Sequence, residues 1–181
     1  MTDSDKMELR PGTMFVASPF LTEHKYKFSV IYIVDADDDF VQAITLNRPS
    51  TMSVDNAVDH EHIPWSMDLY IGGLEDWQTV LYLHVSDIHG SVPVVGRVRI
   101  GGDLAELYDN VQIYRRQPTD KLKFFAGHIR MTTDDFLFMW ANKLWIRCPM
   151  SDPFETYYWE DTLASCGDNF EVIATAGYKP N

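Results

Sequence analysis

Basic residues are scarce in this sequence. The 181 residues include 15 lysines and arginines against 27 aspartates and glutamates, which gives a formal net charge of -12. An excess of negative charge makes attraction to phosphate backbones and to anionic membrane surfaces unfavourable. The balance therefore argues against direct binding of nucleic acid or of a membrane surface. It leaves two explanations for the acidity: it keeps the protein dispersed in solution, or it imitates the charge of a nucleic acid and occupies a basic partner.

Cysteine is nearly absent, since Cys148 and Cys166 are the only two. Their separation matches no zinc or redox motif, and two thiols in a reducing compartment are more often buried and inert than joined as a disulfide. Long apolar runs are absent too: none approaches the roughly 20 residues that cross a bilayer. The acidic start of the chain has no positive segment followed by an apolar stretch, as a secretory signal would have. We therefore expect a cytoplasmic protein.

Apolar residues are abundant. They make up 45% of the sequence, and aromatic residues make up 13%, which is enough to bury one substantial core. No internal repeat, low-complexity tract or glycine- and serine-rich linker interrupts the chain. We predict a single domain over residues 1–181.

Short runs of β-branched and aromatic residues predict many strands, and helix-capping patterns predict few helices. The predicted strands cover residues 12–19, 27–34, 40–46, 68–71, 80–85, 92–95, 98–100, 111–114, 121–130 and 144–148, and the predicted helices residues 53–58, 104–109, 132–143 and 152–166. Residues 35–39 carry four aspartates, and we expect them at the tip of a hairpin between the second and third strands. The remainder of residues 50–66 is predicted to be loop. Strands that interleave with few helices favour an α+β fold.

Several short elements follow one another in an order that resembles a known family. The most informative is Asn47-Arg48-Pro49 after two predicted strands, followed by Gly72-Gly73 and Leu83-His84. The remaining elements are Gly12, Ala17, Pro19, Phe28, Val30, Tyr32, Gly127, Trp145, Phe154 and Trp159. Together they resemble the AlgH/YqgE family of small bacterial proteins (UPF0301, DUF179) over about residues 12–167. The resemblance implies a single α+β domain with coiled, mostly antiparallel β-sheets, a few flanking helices and a short polar tail at either end.

The sequence departs from the family pattern at places that bear on function. Relatives usually read Gly-Gly-Pro, whereas Leu74 follows Gly73 here. After Gly127 they usually carry a Gly-Trp pair and a Gly-Gln-Leu start to a helix, whereas residues 128–136 have a different sequence here. A ligand or partner bound by that surface in relatives therefore cannot be assumed for this chain. We interpret the chain as a divergent member, and an origin in a phage or mobile element is a hypothesis that its acidity suggests.

One candidate ligand site combines Asn47, Arg48, Gly72, Gly73 and His84. A guanidinium can hold a carboxylate or phosphate with two parallel hydrogen bonds, and a glycine pair can bring backbone amides against an anion. Each element also has a structural explanation. Asn47 would cap a turn while Arg48 pairs with an internal acid, the glycines would form a tight strand exit, and His84 would be a half-buried strand histidine.

The best metal candidate is the Asp-His-Glu-His stretch at residues 59–62, with His84 or His89 as a third ligand. A solvated acidic loop explains this stretch equally well, and no ligand framework is visible, so we predict no metal and no cofactor. No Gly-x-Ser-x-Gly elbow occurs, and a thiol without a basic neighbour stays mostly protonated at neutral pH. We therefore assign no catalytic residue.

These observations favour a non-enzymatic regulatory or interaction protein that binds a protein partner. The partner would be a basic nucleic-acid-binding protein if the carboxylates imitate phosphates. The candidate partner-binding residues are Asp35, Asp37, Asp38, Asp39, Asp59 and Glu61. The alternative is a small-ligand-binding protein or hydrolase with a pocket around Arg48, the glycine pair and His84. The sequence does not indicate the oligomeric state.

Overall fold

The structure is a computed structural model that describes residues 9–57, 67–113 and 121–167. These residues form ten strands and four helices. The strands are β1 (Met14–Ala17), β2 (Val30–Ala36), β3 (Phe40–Thr45), β4 (Pro49–Ser53), β5 (Asp68–Ile71), β6 (Glu75–His84), β7 (Val92–Val95), β8 (Val98–Ile100), β9 (Lys123–Thr132) and β10 (Trp145–Arg147). The helices are α1 (Val54–Ala57), α2 (Leu104–Ile113), α3 (Thr133–Ala141) and α4 (Trp159–Ala164).

The strands form a curled sheet in the order β10-β1-β2-β3-β9-β6-β8-β7, with β4 and β5 attached beside β9. Among the described strands, neighbours pair antiparallel except for β5 and β9, which run parallel. Strand β9 joins the two parts of the sheet, because its last residues pair with β3 while its earlier residues pair with β5 and β6. Helix α3 packs against this shared strand, whereas α4 packs against β1.

Gly127 lies where β9 changes partners. Its φ is +69°, in the left-handed region that favours glycine, and a Cβ atom there would lie 2.4 Å from the backbone oxygen of Gly73. Gly73 is constrained from the other side, since its Cβ would lie 2.1 Å from the carbonyl carbon and oxygen of His128. The two segments therefore pass each other at a backbone distance that excludes any side chain.

Strands β10, β1, β2 and β3 form a part of the sheet that is covered on both faces. For this reason all of β1 and the first five residues of β2 are buried. On one face, Phe15 and Ile31 pack in the same cluster as Phe136 of α3. On the other face, Tyr32 shares a cluster with Leu163 of α4. A third cluster packs α2 against β5 and β9. The buried apolar residues thus form three clusters.

The structure confirms the predicted α+β class with mostly antiparallel strands and few helices. It confirms the hairpin between β2 and β3, with the aspartates at its tip. It also confirms a helix after Thr132, whose hydroxyl accepts a hydrogen bond from the Asp135 amide at 3.1 Å. These elements depend on local capping and turn chemistry that the sequence displays.

Two predictions around residues 50 and 111 are wrong. Residues 111–113 continue α2 instead of beginning a strand, because Leu107 and Val111 lie one helical turn apart and pack in the same cluster. Tyr114, the last residue of that predicted strand, lies outside the described residues. Residues 50–52 were predicted as loop and Ser53 as the cap of a helix, and all four belong to β4, which pairs with β5.

The predicted helix at 152–166 begins too early. The carboxylate of Asp152 accepts a hydrogen bond from the Phe154 amide at 2.9 Å, and the Asp152 carbonyl accepts one from the Tyr157 hydroxyl. These bonds close a turn in place of a first helical turn, so α4 begins only at Trp159. Asp152 is therefore a turn residue and not the helix cap that was predicted.

No helix in the described parts of the chain is long and apolar enough to cross a membrane. Residues 1–8 and 168–181, which include most of the two predicted tails, lie outside the described residues.

Replacing Gly127 with alanine tests the close crossing. Gly101 is a matched control, because its φ is also +69° and nothing lies within 4 Å of an added Cβ. In both variants an alanine must adopt a left-handed backbone conformation, which costs about 1–2 kcal/mol. Only Gly127→Ala also forces two backbone segments apart. We expect Gly127→Ala to lower the free energy of unfolding by about 2 kcal/mol or more beyond the control, measured by urea denaturation. Equal losses in the two variants would contradict the crossing.

Candidate functional site

Asn47 extends the pairing between β2 and β3 with its side chain. Its Oδ1 accepts a hydrogen bond from the Val30 amide at 2.8 Å, and its Nδ2 donates to the Phe28 carbonyl at 2.8 Å. The Leu46 amide donates to the Val30 carbonyl beside them. Asn47 therefore satisfies two backbone groups at the point where β2 begins, which is a structural role.

Arg48 lies next to this turn and is half-buried. Its guanidinium donates two hydrogen bonds from Nη2, to the Lys27 carbonyl at 3.1 Å and to Ser29 Oγ at 2.9 Å. Burial lowers the pKa of the guanidinium, and no carboxylate of the described residues forms an ion pair with it. Because both Nη2 protons are already donated, binding a ligand with two parallel hydrogen bonds would require Arg48 to break its bond to Lys27 or to Ser29.

A cleft of about 550 Å³ opens beside Arg48. Its lining residues are His24, Lys27, Phe28, Asn47, Arg48, Tyr157, Tyr158, Trp159 and Glu160. Phe28 has a φ of +61°, which is unusual for a bulky residue, and its ring meets that of Trp159 edge-on at 4.9 Å. The cleft thus has aromatic walls and two partly buried cations, Lys27 and Arg48.

The glycine pair does not line this cleft. Gly72 and Gly73 are buried, and the Gly72 amide donates to the Ala126 carbonyl at 2.8 Å while the Gly72 carbonyl accepts from Thr45 at 2.8 Å. The Ile71 amide also donates to the Arg48 carbonyl at 2.8 Å, so the glycines and Arg48 are neighbours through their backbones. The pair forms the tight strand exit that was one of its two interpretations.

His84 lies at the end of β6 and is almost fully buried. Its Nδ1 accepts a hydrogen bond from the Ser86 amide at 3.1 Å, so its Nε2 carries the proton and donates to the Gly101 carbonyl at 2.7 Å. Burial is the main cause that lowers the pKa of His84. Both ring nitrogens are therefore occupied in fixing the turn that precedes α2, and His84 does not line the cleft.

Sequence reasoning missed Lys123, a buried cation close to the Asn47-Arg48 element. Its Nζ donates to the Glu155 carbonyl at 3.1 Å and to the Leu46 carbonyl at 3.3 Å, and it lies 4.3 Å from the centre of the Tyr70 ring. Burial lowers the pKa of Lys123 from 10.5 to about 8, against an opposing effect of the Asp152 charge. The available signal was a lone charge within the apolar run Leu122-Lys123-Phe124-Phe125.

The aspartates at the hairpin tip are held in a defined position. Asp37 Oδ1 accepts hydrogen bonds from the amides of Asp39 and Phe40, each at 2.8 Å, and these bonds lower the pKa of Asp37. Thr133 at the start of α3 donates from its hydroxyl to the Asp37 carbonyl at 2.7 Å and from its amide to the Asp39 carbonyl at 2.9 Å. The side chains of Asp35, Asp37, Asp38 and Asp39 are all exposed. The tip is therefore docked on α3 with its carboxylates in solvent.

A groove of about 650 Å³ runs beside the tip. Its lining residues are Glu23, Lys25, Tyr26, Phe40, Glu75, Arg130, Met131, Thr132, Asp135, Phe138 and Met139. Phe138 is 64% exposed and Phe40 is 43% exposed, and the Arg130 guanidinium lies 4.2 Å from the centre of the Phe40 ring. Sequence reasoning missed this groove, since it forms only when the hairpin docks on α3.

A sequence model of the AlgH-like family (DUF179) matches residues 14–171. The chain belongs to this family. Its AlgH-like relatives include a UPF0301 protein from Rhodococcus erythropolis, 36% identical over 67% of this chain and 62% of the relative. Others are from Pelodictyon phaeoclathratiforme, 25% identical over 96% and 95% of the two chains, and from Bacteroides fragilis, 22% identical over 89% and 85%. These names state no activity.

Two solved structures share the AlgH-like fold. A crystal structure of a protein from Corynebacterium diphtheriae has a TM-score of 0.75 at 19% identity and covers 92% of both chains. The solution structure of the AlgH protein from Pseudomonas aeruginosa has a TM-score of 0.65 at 15% identity, over 94% of this chain and 89% of that one. The predicted resemblance to the AlgH/YqgE family is confirmed, while an origin in a phage stays a hypothesis.

Two of the six candidate partner-binding residues belong to a segment that the structure does not describe. Asp59 and Glu61, and with them the metal candidate at residues 59–62, lie outside the described residues. Within the described residues, no group of three or more histidine, cysteine or acidic side chains is arranged to hold a metal ion.

The depressed pKa of Lys123 predicts a rise of stability with pH. The folded protein releases this proton near pH 8 and the unfolded chain near pH 10.5, so the unfolded state binds more protons between these values and stability increases across them. We expect a gain of about 1–2 kcal/mol in the free energy of unfolding from pH 7.5 to 9.5. Lys123→Met removes the titrating group and should abolish the gain.

Urea denaturation at the two pH values measures this effect, and Lys143→Met at an exposed lysine is the control. Above about pH 10 the trend reverses, because burial raises the pKa of tyrosines such as Tyr70 and Tyr82 in the folded state. The same gain in Lys123→Met as in the unmodified protein would show that Lys123 is not its cause.

Proposed function

We propose that this AlgH-like protein is a non-enzymatic interaction protein that binds a basic protein partner through one acidic, partly apolar face. We call it the tip face. Its residues are Asp37, Asp38, Asp39, Phe40, Arg130, Asp134, Asp135 and Phe138. The observation that carries the proposal is the docking of the aspartate tip on the start of α3 beside a groove with two exposed aromatic rings.

The tip face combines two sets of acids that are distant in sequence. Asp38 and Asp39 come from the hairpin, and Asp134 and Asp135 from the first turn of α3. The two hydrogen bonds from Thr133 hold these sets side by side. A concentrated negative field of this kind accelerates encounter with a positively charged partner and selects against negatively charged ones.

The groove supplies the apolar contact that charge alone does not give. Phe40 and Phe138 leave large parts of their rings in water, and binding that covers such rings is the usual source of affinity at the centre of an interface. Three acids, Glu23, Glu75 and Asp135, outnumber the two cations that line the groove, and Lys25 is paired with Glu23 at 3.2 Å. The charge left for a partner is negative, so the complementary occupant is a basic amphipathic segment.

The position of the groove also agrees with the sequence departures. Residues 128–136, where the chain differs from the usual AlgH/YqgE pattern, form the end of β9 and the start of α3. Arg130, Met131, Thr132 and Asp135 from this run line the groove. A partner of the tip face would therefore be particular to this chain and its near relatives. A basic nucleic-acid-binding protein fits this chemistry, with the carboxylates in place of phosphates.

The alternative, a small-ligand protein or hydrolase around Arg48, Gly72-Gly73 and His84, has less support. The Gly72 amide and both ring nitrogens of His84 form hydrogen bonds with other groups of the protein. Neither the glycine pair nor His84 lines the cleft beside Arg48. The three elements of that site thus do not converge on one cavity.

A charge-matched pair of triple variants tests the tip face. The first is Asp38→Asn with Asp39→Asn and Asp134→Asn, whose side chains make no described hydrogen bond. Tagged protein captures partners from a nuclease-treated lysate at low and high salt, and mass spectrometry identifies and quantifies them. We expect a basic protein to be retained by the unmodified chain at low salt and to fall about tenfold or more with the triple variant.

The control triple removes the same charge elsewhere, by Asp68→Asn, Asp109→Asn and Asp161→Asn, all at exposed positions. It should retain the partner nearly as well as the unmodified chain. A second variant, Phe138→Ala, should weaken capture at both salt concentrations, because it removes an apolar contact. Equal losses in the two triples, or capture that ignores salt, would contradict binding through the tip face.

A further inference from the structure

The only two cysteines of the chain lie side by side in the folded protein. Cys148 follows β10 and is buried, whereas Cys166 follows α4 and is partly exposed. Both thiols are free, and the two side chains pack in one cluster and line the same cavity. The sequence predicts two inert thiols because their separation matches no redox motif. The fold brings them together by returning α4 to the sheet.

Each cysteine is held by its own structural element. The Cys148 amide donates to the Met14 carbonyl of β1 at 2.8 Å. The Cys166 amide donates to the Leu163 carbonyl at 3.0 Å, and its Sγ lies 3.3 Å from the Thr162 carbonyl. Both also belong to the cluster that packs α4 on the sheet. Their proximity is therefore a property of the packed core and not of a loose terminus.

We propose that Cys148 and Cys166 form an oxidisable dithiol, which hydrogen peroxide converts into an intramolecular disulfide. This site is independent of the tip face, since none of its residues lines the groove.

The surroundings assign different roles to the two sulfurs. The neighbouring Cys148 thiol, helped by the Ser165 hydroxyl, lowers the pKa of Cys166 to about 7 against the effect of burial. The same contact, together with burial, raises the pKa of Cys148. Cys166 is also the more exposed of the two. It is therefore the thiolate that meets the oxidant, and Cys148 is the resolving thiol.

The reaction proceeds in two balanced steps. The Cys166 thiolate attacks one peroxide oxygen, so an S–O bond forms, the O–O bond breaks and hydroxide leaves to become water. The Cys148 sulfur then attacks the Cys166 sulfenic acid, the S–S bond forms, and the hydroxyl leaves with the Cys148 proton as a second water. The two thiols lose two electrons and two hydrogens, and one peroxide is reduced to two waters.

The oxidant can reach the pair through a cavity of about 640 Å³ that both cysteines line. Arg10 and Arg147 line the same cavity and are the charged groups there. Burial is the main cause that raises the pKa of Tyr157, and the charge of Cys148 adds a smaller effect.

The disulfide would close the loop formed by residues 149–165. This loop contains α4 and the residues Tyr157, Tyr158 and Glu160, which form one wall of the cleft beside Arg48. Oxidation would therefore fix that wall to β10. Reduction would release it.

Reduced protein treated with a small excess of hydrogen peroxide tests the proposal. The intact mass should fall by two hydrogens, both thiols should become unreactive to maleimide, and a non-reducing peptide map should join the peptides that contain Cys148 and Cys166. Cys148→Ser should gain oxygen at Cys166, because no resolving thiol remains. Cys166→Ser should keep its Cys148 thiol over the same time.

The proposal is overturned if the natural sequence still has two reactive thiols after peroxide treatment. A disulfide between two chains in place of one within the chain would also overturn it. Equal oxidation rates in the two serine variants would overturn the assigned roles. The mass measurement on the natural sequence does not depend on whether the variants fold.

Discussion

The close crossing of two backbone segments at Gly73 and Gly127 is the constraint on which the rest of the structure depends. Side chains are excluded from both positions by backbone atoms within 2.4 Å of the Cβ that they would add. The crossing lets β9 leave β5 and β6 and pair with β3, so one strand connects both parts of the sheet. The same strand leads directly into α3, and the crossing thereby sets the position of the helix on which the hairpin tip docks.

Residues that resemble a binding site in the sequence serve this architecture. Asn47 completes the start of β2, His84 fixes the turn before α2, and the glycine pair makes the crossing. Their polar groups are bonded to the protein backbone, which leaves few donors or acceptors for a ligand. The groups that remain available to a partner or a reagent lie elsewhere. They are the exposed carboxylates and aromatic rings of the tip face and the two thiols that line one cavity beside α4.

Local signals in the sequence are sufficient for the hairpin of β2 and β3 and for the start of α3, because turn aspartates and a threonine cap act over a few residues. The family resemblance adds the fold class. The end of α2 could not be predicted, since it depends on which residues the core buries. The start of α4 could not be predicted either, since an aspartate before a proline is compatible with both a helix cap and the turn that Asp152 forms. Lys123, the groove and the cysteine pair depend on contacts between distant segments, and no spacing within the chain encodes them.

The most direct test of the central claim is a backbone-amide NMR titration of the protein with an amphipathic peptide that carries arginines on one face and leucines on the other. The account predicts chemical-shift changes at residues 37–40 and 130–138, which weaken as salt is added because the encounter is electrostatic. Changes confined to the Arg48 cleft, or spread evenly over all exposed acids, would contradict binding through the tip face.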